Sequence, residues 1–262
     1  MKKLIFFLLA LMIAFTACNK DEDDDDEEKG LSPTSEQWGF TLEYTRTNCG
    51  ICGSTGGPVI HTLHDMGNVV ALAIHVNGSD DQMVYANYGG FNGDRPSGGG
   101  IPSFWVGNDK ASTSDADTYM TDLLNQGAAD AGVDLSYSIS GDKMKVKTKT
   151  KFFKAGTGSY LISVYLLEDG VDGGDNAGPG YKQSGGASDY IHDFILRGAS
   201  MDNVYGETIA TDPASNETVE KDYEFTLGSE WVSANCYAVA VIWQMDMAAS
   251  PEHVFINCKE VK

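Results

Sequence analysis

Two cysteines separated by two residues, in the stretch "NCGIC" (48–52), have the spacing in this chain that is most able to do chemistry. Cys49 and Cys52 follow a strand-like run, "WGFTLEYT" (38–45), and precede a helical pattern over residues 56–66. Such a pair can be a redox dithiol, a structural disulfide or half of a zinc site. The unpaired N–H groups at a helix N-terminus stabilise a thiolate, so a redox-active pair would use Cys49 as the attacking sulfur and Cys52 as the resolving thiol.

Zinc is the least favoured of the three interpretations. It needs four ligands, and Cys49 and Cys52 supply two. His61 is the nearest histidine, but nine residues of helix separate it from Cys52. That spacing corresponds to a rise of about 13 Å, which is too far for one ion to bridge. We therefore predict no metal and no cofactor, and give the redox dithiol and the permanently oxidised disulfide equal weight.

The N-terminus predicts export and lipid anchoring. Lys2 and Lys3 precede an apolar run that ends in small residues before Cys18, which is typical of a lipoprotein signal peptide over residues 1–17. The apolar run is too short to span a bilayer, which needs about 20 residues. Eight consecutive acids at 21–28 lie in a segment, 18–35, that we interpret as an acidic tether.

Charge narrows the choice of partners. Removal of residues 1–17 takes away Lys2 and Lys3 and leaves 16 basic against 38 acidic residues, a net charge of −22. Nucleic acids attract positive proteins, so we predict no nucleic-acid partner. The acidic block resembles the signal of lipoproteins exported to the outer face of the outer membrane. We therefore predict a lipid-anchored outer-membrane protein displayed at the cell surface, with a periplasm-facing anchor as the alternative.

The body of the chain divides by pattern into two predicted domains. Residues 36–132 alternate strands with helices, including a continuous apolar strand at 68–76 and a capped helix at 112–130, and so predict an α/β domain. Residues 133–262 show strands separated by turns and predict an all-β antiparallel sandwich of immunoglobulin-like type. One of these strands, at 142–153, alternates apolar residues with five lysines, as a half-buried strand does.

The last two strands predict a second disulfide. If residues 235–244 and 253–261 form a hairpin that turns near Met247, Cys236 lies opposite Cys258 on one apolar face. Opposed cysteines in a non-hydrogen-bonded pair can approach closely enough to bridge, and exported proteins keep such bridges. We therefore predict a Cys236–Cys258 disulfide that clamps the sandwich, in addition to Cys49–Cys52.

The dithiol region resembles the thioredoxin fold. Thioredoxins carry a buried acid six residues before the first cysteine, and Glu43 stands at that position here, followed by Tyr44. They also place a cis-proline at the start of a later strand against the dithiol, and Pro102 in "GGGIPSF" matches it. The resemblance implies that Glu43 accepts a proton and that Pro102 shapes a substrate groove. The chain departs from the pattern at Asn48, where a Trp is usual.

A closer resemblance covers most of the mature chain. The order of lipoprotein signal, thioredoxin-like half and β-rich half is similar to that of the outer-membrane-protein-28-related lipoproteins. The matching stretches are "LEYTRTNCGIC" (42–52), "IPSFWVGN" (101–108), "SVYLLEDG" (163–170), "YIHDFILRG" (190–198) and "NCYAVAVIW" (235–243). This resemblance implies an outer-membrane lipoprotein with an adhesion or binding role. Gly53 departs from the family, whose members commonly have a proline after the second cysteine.

Two long loops are candidate recognition surfaces. The loop at 85–100 displays aromatic and basic side chains suited to a protein or glycan ligand: Tyr85, Tyr88, Phe91 and Arg95. The loop at 167–190 carries Asp169, Asp172 and Asp175, and its segment 169–176 could bind calcium, although it lacks the spacing of an EF-hand. We interpret His192, on a predicted strand, as a structural residue.

Two functions follow from this sequence. The favoured one is a surface-exposed binding or adhesion module on a thioredoxin-like scaffold, and therefore not an enzyme. The alternative is a membrane-tethered thiol-disulfide oxidoreductase that uses Cys49 and Cys52, with Glu43 as proton acceptor and Pro102 beside the dithiol.

Overall fold

The computed structural model describes residues 30–78 and 80–262. The predicted signal peptide (1–17), Cys18 and the acidic run at 21–28 lie outside the described residues. Leu31–Lys262 forms one compact unit. The tether prediction is wrong for residues 32–35, which are bound to the body of this unit. The Ser32 N–H donates to the Asp134 carboxylate at 2.8 Å, and the Ala129 N–H donates to the Ser35 carbonyl at 2.8 Å.

Strands dominate the described residues, and helices are few and short. The strands are β1 (Gly39–Thr45), β2 (Val69–His75), β3 (Ser103–Val106), β4 (Asp109–Ala111), β5 (Ala131–Ser140), β6 (Lys143–Phe152), β7 (Ser159–Glu168), β8 (Val171–Asp172), β9 (Ile191–His192), β10 (Ile195–Ala199), β11 (Glu207–Thr211), β12 (Thr218–Thr226), β13 (Cys236–Met245) and β14 (His253–Val261). The α-helices are α1 (Gly57–His64), α2 (Tyr88–Asp94) and α3 (Ala116–Leu124). A π-helical turn, Cys52–Gly56, precedes α1, and a short 3₁₀ helix, Ser233–Asn235, precedes β13.

Most of the strands belong to one large mixed sheet. Its order is β14-β13-β7-β10-β2-β1-β3-β4, and β11 extends the pairing along β7 beyond the end of β10. The pairs β1–β2 and β2–β10 are parallel, whereas the other neighbours are antiparallel. A separate antiparallel sheet has the order β12-β6-β5. β8 and β9 form a third, two-stranded antiparallel sheet. The described residues are therefore mostly β, with one mixed and two antiparallel sheets.

The two predicted domains do not separate at residue 132. The proposed boundary falls inside β5, and β2 of the first half pairs with β10 of the second, with Ile195 opposite Ala73. β1 and β2 are buried along their whole length, as strands inside a sheet are, and β10 pairs with the edge of β2 that β1 leaves open. One sheet therefore runs through both halves of the chain.

Two apolar cores lie on opposite faces of β7 and β13. Alternation along these strands directs Tyr165 and Trp243 into one core, which also buries β1, β2 and α3. The alternate side chains, such as Val164 and Ala240, pack against the β12-β6-β5 sheet. That sheet thus covers one face of the large sheet, with the lysines of β6 on its outer side, and the two-layer packing explains why the chain alternates so strictly at 143–152.

The predicted Cys236–Cys258 disulfide is wrong. β13 and β14 do form a hairpin, but Val241 lies opposite Cys258, and Cys236 lies opposite Glu168 of β7. The loop between the strands is longer than a turn at Met247, and it is followed by a bulge in the pairing. An odd shift in register sends side chains to the other face, so the two cysteines lie in different cores, and both are free.

This register makes a direct prediction about thiol content. Burial raises the pKa of Cys236 to about 11, and burial also raises the pKa of Cys258 well above its ordinary value. We expect neither thiol to react with iodoacetamide in the native protein, because only the thiolate reacts. After denaturation without reductant, mass spectrometry should find Cys236 and Cys258 alkylated and Cys49 and Cys52 unmodified. A Cys236–Cys258 cross-linked peptide would contradict the register.

Candidate functional site

The site forms where β1 ends and the first helix begins. After β1, the Cys49 N–H donates to the Arg46 carbonyl at 3.2 Å and closes a turn. Helical backbone then runs from residue 50 to His64. Cys49 and Cys52 are joined by a disulfide, with an S–S distance of 2.16 Å and a Cα–Cα distance of 5.2 Å.

The first sulfur receives a backbone hydrogen bond. The Cys52 N–H points at Cys49 Sγ at 3.2 Å and also at the Cys49 carbonyl at 3.1 Å. An N–H directed at sulfur from the start of a helix stabilises negative charge there, so the reduced form would hold Cys49 as the thiolate. Cys49 is 9% exposed and Cys52 is 1% exposed, so Cys49 is the sulfur nearer to solvent.

The helix is widened by one residue at the dithiol. The Gly57 N–H donates to the Cys52 carbonyl, which is the spacing of a π-turn. Pro58 has no N–H to give to the Ser54 carbonyl, and the surrounding "GSTGGP" is rich in glycine, so the ordinary α-helical ladder starts late. Single π-turns of this kind are frequent at functional sites.

Pro102 lies against the dithiol, as predicted. The Ile101–Pro102 peptide bond is cis, and the Ile101 carbonyl oxygen is 3.8 Å from Cys49 Sγ. A Cβ added to Gly56 would meet Pro102 Cβ at 2.9 Å and would also clash with Glu43 Oε1. Glycine at position 56 therefore allows the helix to approach both residues at once.

Glu43 is buried beneath the helix. It is 2% exposed, and its Oε1 has no hydrogen-bond partner among the described residues. Burial raises the pKa of Glu43 to about 8, against a smaller lowering by a hydrogen bond with Thr45. A carboxyl with this pKa is mostly protonated at neutral pH, and once it has lost that proton it is a base strong enough to accept one from a thiol.

A loop from the second half of the chain covers the other side of the dithiol. Gln183 Nε2 donates to the Cys49 carbonyl at 3.0 Å, and the Ser184 N–H donates to the Thr47 carbonyl at 2.7 Å. Gly185 lies so close to Gly50 that a Cβ would clash with its backbone. The sequence did not predict that this loop contacts the cysteines. The contact depends on Gly185 and Gly50, which are far apart in the chain and meet only in the folded protein.

The open side of the dithiol is a shallow groove of about 480 Å³. Ile51, between the two cysteines, is 59% exposed and lines this groove together with Ile101, Pro102 and Ser103. Its far wall comes from residues 110–113. The groove is therefore apolar next to the sulfurs and polar at its margin.

The two loops proposed as recognition surfaces have structural roles at several positions. In the loop at 85–100, Phe91 and Arg95 are fully buried, and residues 88–94 form α2, so the prediction of an exposed loop is wrong there. In the loop at 167–190, Asp169 accepts hydrogen bonds from the Phe194 N–H and the Tyr237 hydroxyl. Within the described residues, no group of three or more His, Cys, Asp or Glu side chains could hold a metal ion.

None of the helices in residues 30–78 and 80–262 has the length and apolar character that a membrane span requires.

Comparison with known proteins identifies relatives of this chain. The sequence model of the family "Outer membrane protein Omp28" matches residues 101–257, which is more than half of the chain. The solved structure of HBP35 of Porphyromonas gingivalis is similar, with a TM-score of 0.68 and 17% identity over 88% of this chain and 76% of that chain. At this identity the likeness shows a shared fold alone.

A second solved structure, a domain of the outer membrane lipoprotein Omp28 from Porphyromonas gingivalis, aligns over 49% of this chain and 88% of that chain at 19% identity. Its TM-score of 0.30 is too low to support any inference. Comparison with curated proteins gave no significant match. The family match confirms the resemblance found in the sequence: the chain belongs to the outer membrane protein Omp28 family, and this membership places it at the outer membrane.

Proposed function

We propose that this protein is a thiol-disulfide exchange protein of the outer membrane, with Cys49 and Cys52 as its reactive pair. One observation carries the proposal: Cys49 Sγ lies at a helix start, 3.8 Å from the carbonyl that precedes cis-Pro102, with buried Glu43 behind the same helix. These features support a thioredoxin-like arrangement of β1, β2, β3 and the first helix, followed by a β-sandwich of the later strands. For this reason we now prefer thiol-disulfide exchange to the binding or adhesion role that we favoured from the sequence.

The exchange reaction follows from the two sulfurs. In the reduced protein, Cys49 thiolate attacks a substrate disulfide, forms a mixed disulfide and releases one substrate thiolate. Cys52 then gives its proton to the Glu43 carboxylate and attacks Cys49 Sγ, which releases the second substrate thiolate. The pair loses two electrons and the substrate gains two, so a thiol reductant must later restore the dithiol.

The groove beside the dithiol fits an extended peptide with apolar side chains. The groove has three apolar lining residues near the reacting sulfur: exposed Ile51, Ile101 and Pro102. The net charge of the chain, −20, disfavours acidic substrates by like-charge repulsion. We therefore infer an unfolded or flexible protein segment, rather than a charged small molecule, as the substrate class.

Anchoring completes the proposal. Lipidation of Cys18 and the acidic run at 21–28 support attachment to the outer membrane with the folded unit at the cell surface. Protease treatment of intact cells tests the orientation. We expect the folded unit to be released from intact cells, whereas protection until the outer membrane is permeabilised would support the periplasm-facing alternative.

The exchange assay tests the chemistry. We expect the purified protein to catalyse reduction of insulin disulfides by dithiothreitol, and Cys49→Ser to remove this activity down to the uncatalysed rate, because the attacking thiolate is lost. Cys52→Ser should accumulate a mixed disulfide with the substrate. Cys236→Ala is the matched control, since Cys236 is a free cysteine remote from the groove, and its activity should equal that of the wild type.

A binding or adhesion module remains the second candidate. The observation that favours it is the low exposure of the pair, 9% and 1%, together with the loop that Gln183 ties to Cys49. In that case the disulfide holds the groove in shape and does not turn over. A wild-type protein with no insulin-reducing activity, but with peptide binding that survives Cys49→Ser, would favour this function over exchange.

A further inference from the structure

A small, partly open cavity lies between α1 and the strands β1 and β2, with Gly57, Ile60 and His61 of α1 in its lining. Its volume of about 10 Å³ is close to the minimum that admits one water molecule. Side chains from β1, α1, β2 and the segment 190–193 contribute its polar lining: Glu43, Thr45, His61, His75, Tyr190, His192 and Asp193. A water in such a cavity has more than the two to four polar partners that it needs.

Glu43 is the buried end of this cavity. Its Oε1 lacks a partner among the described residues, which is costly for a buried acceptor unless a water donates to it. Because burial keeps Glu43 mostly protonated at pH 7, its proton must leave before the carboxylate can accept the proton of Cys52. The side chain is 2% exposed and lies beneath Gly56 and Pro102, so the proton has no direct route to solvent.

His61 is the exposed end of the same cavity. Its side chain is 41% exposed, and its Nε2 lies 3.5 Å from the carboxylate of Asp193, which orients the ring. An imidazole can take up a proton at one ring nitrogen and give one up from the other, which makes it a proton shuttle. His61 therefore joins the cavity that Glu43 lines to bulk water.

The other two histidines that line the cavity, His75 and His192, are held by hydrogen bonds and do not transfer the proton. The His75 ring is held by Asp81, with Nδ1 2.8 Å from Oδ2, and it is 1% exposed. His192 Nε2 lies 2.8 Å from the Tyr181 carbonyl, and burial together with nearby His75 lowers the pKa of His192 to about 4. A histidine with that pKa is neutral at neutral pH and does not carry the proton away.

From this geometry we propose that His61, oriented by Asp193, is the exit through which Glu43 exchanges its proton with solvent by way of one water in the cavity. The proposal rests on the proposed thiol-disulfide exchange. Before the Cys49–Cys52 disulfide closes, the proton held by Glu43 leaves through the water to His61 and into solvent, and the resulting carboxylate then accepts the Cys52 proton. His61 acts through Glu43 and touches no reacting atom, so it is a positioning residue.

The test separates the two steps of exchange. Reduced protein is mixed with excess oxidised glutathione, quenched with acid, and the mixed disulfide and closed disulfide are measured by mass spectrometry from pH 6 to pH 9.5. His61→Gln keeps an amide near Asp193 but cannot titrate. His64→Gln is the matched control, because His64 also lies on α1 and against Phe194 but pairs with Glu260 outside the cavity.

We expect His61→Gln to slow ring closure about tenfold at pH 7 and to leave formation of the mixed disulfide unchanged. This is less than the roughly hundredfold effect of losing a direct general acid or base, because His61 acts through Glu43. At pH 9.5 the rates should converge, because Glu43 is then mostly ionised before closure begins and has no proton to lose. His64→Gln should match the wild type throughout. In a Glu43→Gln background, His61→Gln should have no further effect, since both changes interrupt one path.

The outcomes distinguish this proposal from the function on which it rests. A wild type that forms no mixed disulfide at all would overturn thiol-disulfide exchange, and the proton exit with it. A reactive wild type whose ring closure is unchanged by His61→Gln would overturn the exit alone. Slowing of both steps at every pH, or equal slowing by His64→Gln, would mean that His61 only supports the helix, and would also overturn it.

Discussion

Replacing Glu43 with Gln should stabilise the oxidised protein by about 4 kcal/mol at pH 9 and hardly at all at pH 5. The pKa of Glu43 is raised by burial from 4.5 to about 8 in the folded protein. Between these values the unfolded chain releases a proton that the folded chain holds. Stability therefore falls as the pH rises from about 4.5 through about 8, and a glutamine removes this loss.

Urea denaturation of wild type and Glu43→Gln at pH 5 and pH 9 measures the difference. Glu230→Gln is the control for a surface carboxylate, and it should change stability by less than about 0.5 kcal/mol at either pH. An equal effect of Glu43→Gln at both pH values would mean that Glu43 is not held protonated by burial. Glu43 thus lowers the stability of the protein at neutral pH. Such a cost is expected where a buried acid serves as a proton acceptor.

Arg95→Met should lower the free energy of unfolding by about 3–5 kcal/mol. This is the largest loss of stability that we expect from replacing one buried side chain. The Arg95 guanidinium is completely buried, lies 4.6 Å from the Trp243 ring centre and donates to the His253 carbonyl at 2.7 Å. It also donates to Asn108 Oδ1 at 3.2 Å, so it joins α2 to the β3–β4 turn and to β14. Methionine fills much of the space but removes the donor to the His253 carbonyl and one of the two donors to Asn108 Oδ1, which keeps the Phe255 N–H.

Urea denaturation at pH 7 provides the measurement for Arg95→Met. Lys154→Met is its control, because Lys154 and its partner Asp130 are 67% and 61% exposed and such pairs contribute little. Arg95→Lys should recover only part of the stability, because lysine lacks the planar fork that reaches several acceptors. A loss below about 1 kcal/mol for Arg95→Met would show that the guanidinium is not what joins these elements.

Local features of the site were predictable from the sequence. The spacing of Cys49 and Cys52 between a strand and a helix indicated the dithiol from the residues alone. Glu43 and Pro102 were assigned to it only through the resemblance to thioredoxins. The strands at 68–76, 142–153 and 159–168 have apolar patterns strong enough to define them without tertiary context. The bounds of these strands in the structure are close to the bounds that the patterns predicted.

Features that depend on long-range register were not predictable. The Cys236–Cys258 pairing failed because the hairpin loop and a bulge shift the register by an odd number of residues, which no local pattern reveals. α2 was missed because its sequence, "YGGFNGD", has three glycines and few helix formers, and it forms because Phe91 is buried by the surrounding fold. The cavity that joins Glu43 to His61 needs side chains from four segments of the chain.

The reduction potential of the Cys49–Cys52 pair tests the central claim most directly. It can be measured by equilibrating the purified protein in glutathione or dithiothreitol buffers and counting alkylated Cys49 and Cys52 by mass spectrometry. A working exchange pair predicts a potential between about −270 and −180 mV, the range of thioredoxin and protein disulfide isomerase. A potential below about −300 mV would mark a permanent structural bridge and contradict the account.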